Sequence, residues 1–506
     1  MRNNLWATAF LGLCTGAALA GPDSPLSAID WLSDSVIAPP SVQRPEPRVT
    51  PGAAPEDIAV TRLGAPNPDA VGLLSPAVSG LPRNLWGNTP TAELARLIGA
   101  EHARSLPALQ DLLYTLLLAE IDPPADNAGD GELLVARLDK LLDMGALDQA
   151  QALVERAGPD TPTLFRRWFD ISLLTGQEDR ACAAMRTTPD IAPTFPARIF
   201  CLARGGAWDT AVLTLGTARA LGFITEEEDT LLARFLDPDL FEGEPPLPAP
   251  TRPSPLVFRI REAIGEPLPT SLLPRAFARA DLRPTAGWKT RIEASERLAR
   301  TGALPASALM GVYTEREPAA SGGIWDRVAA VQALDRAVMS GEAEAVTQAL
   351  PTAWQQMEAA GLTQPLAQLY GPRLAPLPLS GPARELAIKA GLLSPDYETV
   401  AVRTDATLRF ARGVAQGRPD PALAQTPMET AISEAFTTPD PGPANARRLK
   451  ENRVGEAILN GIITLAEAAG GETSDVVLGL STLRMAGLES TARRAALEIL
   501  LTEARP

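Results

Sequence analysis

The sequence runs to 506 residues, more than one ordinary hydrophobic core organises, so two or more domains or one elongated repeat array are expected. A formal net charge of -15, with no Lys/Arg block or basic amphipathic stripe to offset it, argues against a nucleic-acid partner. Hydrophobic residues make up 45% of the chain but aromatic ones only 5%, and Ala and Leu, both helix formers, carry most of the apolar mass; this predicts an all-α fold.

Residues 1–20 combine a basic start at Arg2, an apolar run from Leu5 to about Leu13, and Ala18-Leu19-Ala20 before Gly21. That order predicts a Sec-type signal peptide, with the mature chain beginning at Gly21. Cys14 is not read as a lipid anchor, because Leu13 stands where a small residue is needed. The most apolar later stretch, Leu112 to Ile121, is too short to span a bilayer and carries Glu120. The mature chain is therefore expected without a transmembrane segment, in the bacterial periplasm.

Residues 21–88 read as a largely disordered tether, punctuated by Pro39, Pro40, Pro45, Pro47, Pro51, Pro55, Pro66 and Pro68. Within it, 24–37 has the pattern of one short docking helix. Ser24 and Pro25 start it, Pro39-Pro40 stops it, Ile29, Leu32 and Val36 share a face, and Trp31 flanks that face. A helix this short does not persist alone in water, so it docks on a partner, docks back on this chain, or stays disordered.

The first helical block, 89–236, opens with Thr89 before Pro90 and Ser105 before Pro107 as helix starts. A repeated element follows. Gly145, Gly176 and Gly206 each precede an Asp by three residues (Asp148, Asp179, Asp209) and an Ala by five (Ala150, Ala181, Ala211). The Gly suits the turn between two helices, the Asp the positive end of the second helix, and the Ala a close approach of the pair. Leu134, Phe165 and Phe195 recur before the turns, and Val154, Met185 and Leu215 after them.

Over about 130–225 these units resemble the tetratricopeptide family, sharing the Gly-x-x-x-x-Ala turn, small residues at Ala157 and Ala218, and closing prolines at Pro162 and Pro193. The period is about three residues shorter than the family's, Thr188 and Phe223 break the pattern, and the Tyr and Gly usual in the first helix are absent. The resemblance implies stacked helical hairpins forming a superhelix, or α-solenoid, whose concave surface binds peptides or proteins. It carries over no contact residue.

A Pro-rich linker is predicted at 237–255, followed by a second helical block at 256–506 with turns at Gly302, Gly341, Gly361, Gly391, Gly417 and Gly470-Gly471. The turn grammar returns at Gly487 to Ala492. This block reads either as a divergent continuation of the solenoid or as a separate irregular bundle.

Groups for catalysis are few. His102 is the only histidine, and a signal cleaved before Gly21 leaves Cys182 and Cys201, a poor metal set. The cysteines are expected to form a disulfide, since stacked hairpins make their helices neighbours; two free buried thiols are the other outcome. Glu226-Glu227-Glu228-Asp229 follows Thr225 and reads as a helix start rather than a catalytic carboxylate pair. No cofactor is expected. The polar segment from Tyr313 to Arg327 sets Tyr313, Trp325 and Arg327 among mixed charges; they are interface candidates, unless Trp325 simply plugs the core.

The expected function is a non-catalytic periplasmic scaffold or adaptor for a protein partner in the cell envelope, with Ile29, Trp31, Leu32, Val36, Tyr313, Trp325 and Arg327 as candidate contacts. Compartment and architecture suggest an accessory to a flagellar motor or to a secretion or wall-assembly complex. The alternative is a cell-wall hydrolase or transglycosylase with a carboxylate in a solenoid groove.

Overall fold

The computed structural model describes residues 67–100, 105–403, 408–468 and 471–502, which form twenty-four α-helices and no β-strand. Residues 1–20, the 24–37 segment with Ile29, Trp31, Leu32 and Val36, and His102 lie outside the described residues. No described helix is long and apolar enough to cross a membrane.

The three glycine turns build three helical hairpins: Glu132–Asp143 with Leu147–Ala157, Pro162–Thr175 with Glu178–Thr187, and Phe195–Arg204 with Trp208–Ala220. Gly145, Gly176 and Gly206 have φ of 86°, 77° and 82°, a region that L side chains enter only under strain. Asp148, Asp179 and Asp209 fall in the first turns of the second helices, and Ala150, Ala181 and Ala211 are buried where the helices cross. Thr161 and Thr194 cap the first helices of the second and third hairpins, accepting from the amides of Leu164 and Ala197. Hairpin formation is thus set locally, by turn and cap together.

Successive helices keep packing on their neighbours in the later chain. Gly341 and Gly361 turn Ile324–Ser340 into Ala343–Ala360 and that helix into Thr363–Leu374, while Gly487 joins Thr473–Met485 to Glu489–Leu501. Gly391 makes no turn; it lies inside Gly381–Leu392, where absence of a side chain lets Val400 and Ala375 close in. Two prolines lie inside helices, Pro351 in Ala343–Ala360 and Pro372 in Thr363–Leu374.

The two ends of the described chain meet. Glu489–Leu501 packs on Pro107–Leu118, and Val454–Ala468 on Thr91–Ala100. The Asn88 amide donates to the carbonyl of Asn452 at 3.1 Å, and the Gly455 amide to that of Leu85 at 3.0 Å. The tether expected to run to Asn88 is therefore folded from Asn67 onward. Leu81, Leu85 and Trp86 are buried, and Gly455 leaves room for the Trp86 ring that any side chain there would strike. Proline-rich sequence hid these anchors, because their burial depends on helices more than 350 residues away.

The helix predicted to start at Ser105 begins at Pro107, and Ser105 gives it no side-chain cap. The Glu498 carboxylate receives the Ala108 amide instead, at 2.9 and 3.0 Å. Burial pushes the Glu498 carboxyl up to about 8, with the amide and Arg494 pulling the other way.

Candidate interaction surface

A hairpin stack offers two faces, and here the chain fills one of them itself. The first helices of the hairpins are covered by later elements: Glu226–Leu236 on Phe195–Arg204, Pro255–Ala263 on Pro162–Thr175, and the 3-10 segment Arg275–Leu282 on Pro162–Thr175 and Glu132–Asp143. Polar ties fix the cover. Arg259 meets the buried Glu178 at 2.7 Å, Arg279 holds Asp148 at 3.0 Å, and Thr301 donates to the carbonyl of Met144 at 2.8 Å. Asp148, read as a helix-dipole residue, thus also binds a guanidinium from 131 residues away. The face that a tetratricopeptide-like reading gives to a peptide is packed by residues 226–301.

The second helices form the other face, and the third differs from the first two. Six residues after each turn glycine stand Gln151, Cys182 and Val212. Gln151 is buried and bonded to Gln177 at the next turn, and Cys182 is bonded to Cys201 of the next hairpin, with Cα atoms 5.0 Å apart. Val212 remains 54% exposed, although Glu226–Leu236 packs on the same helix. Its neighbours are as bare: Leu213 is 72% exposed, Phe223 52% and Trp208 46%. Trp208–Ala220 buries only the strip Ala211, Leu215 and Ala218.

Aromatic rings brace the edges of this surface, Phe223 stacked on Phe195 at 4.8 Å and Trp208 against Phe235 at 6.1 Å. Thr225 and Glu228 form a reciprocal capping box beside it, the predicted role of the acidic run as a helix start. Removing the remaining area of Val212 and Leu213 from water would contribute about 1–2 kcal/mol each. Ends of repeat arrays normally present a polar outer face. Among the described residues this end presents an apolar one.

The Tyr313 to Arg327 candidates are placed otherwise. Tyr313 is 1% exposed and donates to Glu296 at 2.7 Å, while Arg327 spans both Glu296 oxygens at 2.8 Å each. Burial and the adjacent Glu296 charge push the Tyr313 phenol well above its usual range. Trp325, half-buried, packs its ring 5.1 Å from Trp288. These side chains tie Trp288–Ala299 to the helices on either side of the loop, which spends Tyr313 and Arg327 on internal contacts. Glu296, the centre of this knot, carries no sequence signal. Trp208, Val212 and Leu213 did carry one: apolar residues on several sides of the third hairpin's second helix, where one stripe would suffice.

No family model, no curated protein and no solved structure matches this chain.

Proposed function

We propose that the chain is a non-catalytic scaffold of the bacterial cell envelope, built from tetratricopeptide-like hairpins, which binds a protein partner across the open edge of the third hairpin. The observation carrying this reading is the exposed apolar surface of Trp208–Ala220 beside a first-helix face already filled by residues 226–301. Surfaces of this kind, large apolar side chains grouped within a polar rim, mark interaction sites. The disulfide between Cys182 and Cys201 suits an oxidising compartment, as does the signal-like start of the sequence.

The test compares the chain from Gly21 with its Val212→Asp/Leu213→Asp variant as baits for envelope extracts. The native bait is expected to recover one protein in stoichiometric amount and the variant to lose it, while Trp325→Ala retains it. Equal recovery by both baits contradicts the reading, and so does clearing of purified wall sacculi by the native protein alone.

A further inference from the structure

We propose that 24–37 docks as an amphipathic helix on the exposed face of Trp208–Ala220, supplying the missing cap of the hairpin stack, so that a partner must displace it. This rests on the same surface as the scaffold reading and adds how that surface is regulated.

The geometry of the face calls for a helix. Trp208, Val212 and Gly216 follow one another at four-residue spacing, with Leu213 and Ala220 alongside. Apart from the helix's own nearby backbone, no atom of the described residues lies within 4 Å of where a Gly216 side chain would begin. Glycine inside an exposed helix is unfavourable against alanine, and nothing in the packing of the described residues requires it here. A second helix crossing at Gly216 would use the depression, between Val212 on one side and Ala220 on the other. In the preceding hairpins the corresponding edge is always covered by the next unit, through Gln151 and through Cys182.

The occupant follows from chain length and from where the described chain begins. Asn67 is pinned beside the first hairpin: its side chain donates to Asn127 at 2.9 Å, and Asp69 accepts the Leu134 amide in the first turn of Glu132–Asp143. Five packed helices further along, at about 8–10 Å for each, lies Trp208–Ala220, at most about 40–50 Å away. A Pro-rich tether of the length of residues 38 to 66, at about 3.1 Å per residue, can reach up to about 90 Å. The reach exceeds the span, so the segment can dock within its own chain, where tethering raises its effective concentration.

The two helices also match each other. Both are about 20 Å long. Ile29, Leu32 and Val36 give the segment one apolar stripe. Asp30 and Asp34 fall on the opposite side of that stripe. A lone helix of this length is marginal, which makes docking reversible and leaves a stronger partner able to compete.

The test places one reporter on the surface. Val212→Cys is introduced into the chain from Gly21, where Cys182 and Cys201 are already paired, and its alkylation is timed with iodoacetamide. The expected result is a rate about tenfold slower than in the same variant carrying Leu32→Asp, for an effective concentration well above the dissociation constant. That ratio should hold across a hundredfold range of protein concentration. Equal rates in the two chains overturn the proposal, and so does protection that grows with concentration, which would mean that a second copy covers the face. Both chains are checked for the same melting temperature, so that unfolding is not mistaken for release. No partner is present in this assay, so its failure leaves the scaffold reading standing, and loss of the partner in the extract experiment leaves this result standing.

Discussion

Cys182 and Val212 occupy the same place in successive hairpins, six residues beyond the turn glycine, and differ in what covers them. Cys182 is sealed by a covalent bond to the next unit, whereas Val212 is left half in water although another helix packs on its own helix. The same local grammar therefore yields a core position in one unit and a surface position in the next. What a repeat position does is decided by its neighbour in space, and the last unit of a stack is where that neighbour changes.

The contrast between covered and uncovered edges can be broken from the covered side first. Trp86→Ala removes a ring buried against Gly455 at the junction of the chain's two ends and should cost about 3–5 kcal/mol, measured by denaturant unfolding. A cost below about 1 kcal/mol would mean that the ends do not support each other. Replacing Cys182 and Cys201 together by Ser should cost about 3 kcal/mol in the chain-entropy account of a loop of this size, read from the same unfolding curves.

Glu498 provides a pH handle on the closure. Its carboxyl is raised by burial to about 8, from a usual value of 4.5, so the folded state holds the proton more tightly than the unfolded one. Stability from this group is complete below about pH 4.5, falls as pH rises from there, and is lost once pH passes about 8. Glu498→Gln keeps an acceptor for the Ala108 amide without titrating. The stability of the native chain relative to this variant should fall by up to about 5 kcal/mol across that window, about 1.4 kcal/mol for each pH unit. Melting temperatures followed against pH check it, and a constant difference would contradict it.

On the uncovered side, Val212→Asp should change stability by no more than about 0.5 kcal/mol in a chain that also carries Leu32→Asp, since the side chain then stands half in water. A larger loss in the chain from Gly21, absent from a chain that also carries Leu32→Asp, would sharpen the comparison by showing that the edge is capped in the free protein.

Much of the first block was legible because its causes are local. A glycine with positive φ, an acidic first turn and a small residue at the crossing each act within a few residues, so three hairpins and the Thr225 cap could be read directly. The disulfide was legible for a related reason, as stacking brings consecutive units together. Contacts between distant segments were not. Trp86 looked like part of a tether because Gly455 and Val454–Ala468 lie far along the chain, and Tyr313 and Arg327 looked like a surface pair because Glu296 gives no pattern that marks it as their shared acceptor. The covered first-helix face belongs to the same class, since Arg259 and Arg279 reach Glu178 and Asp148 across more than 80 residues.

The central claim, that the open edge of the third hairpin is where a partner engages, is tested most directly by photo-crosslinking in intact cells. A photoreactive amino acid is placed at Leu213, on the edge, and separately at Leu272, which is also largely exposed but belongs to a different element. The account predicts one discrete higher-mass adduct from position 213 and none from 272. Adducts of the same mass from both positions, or from 272 alone, would contradict it.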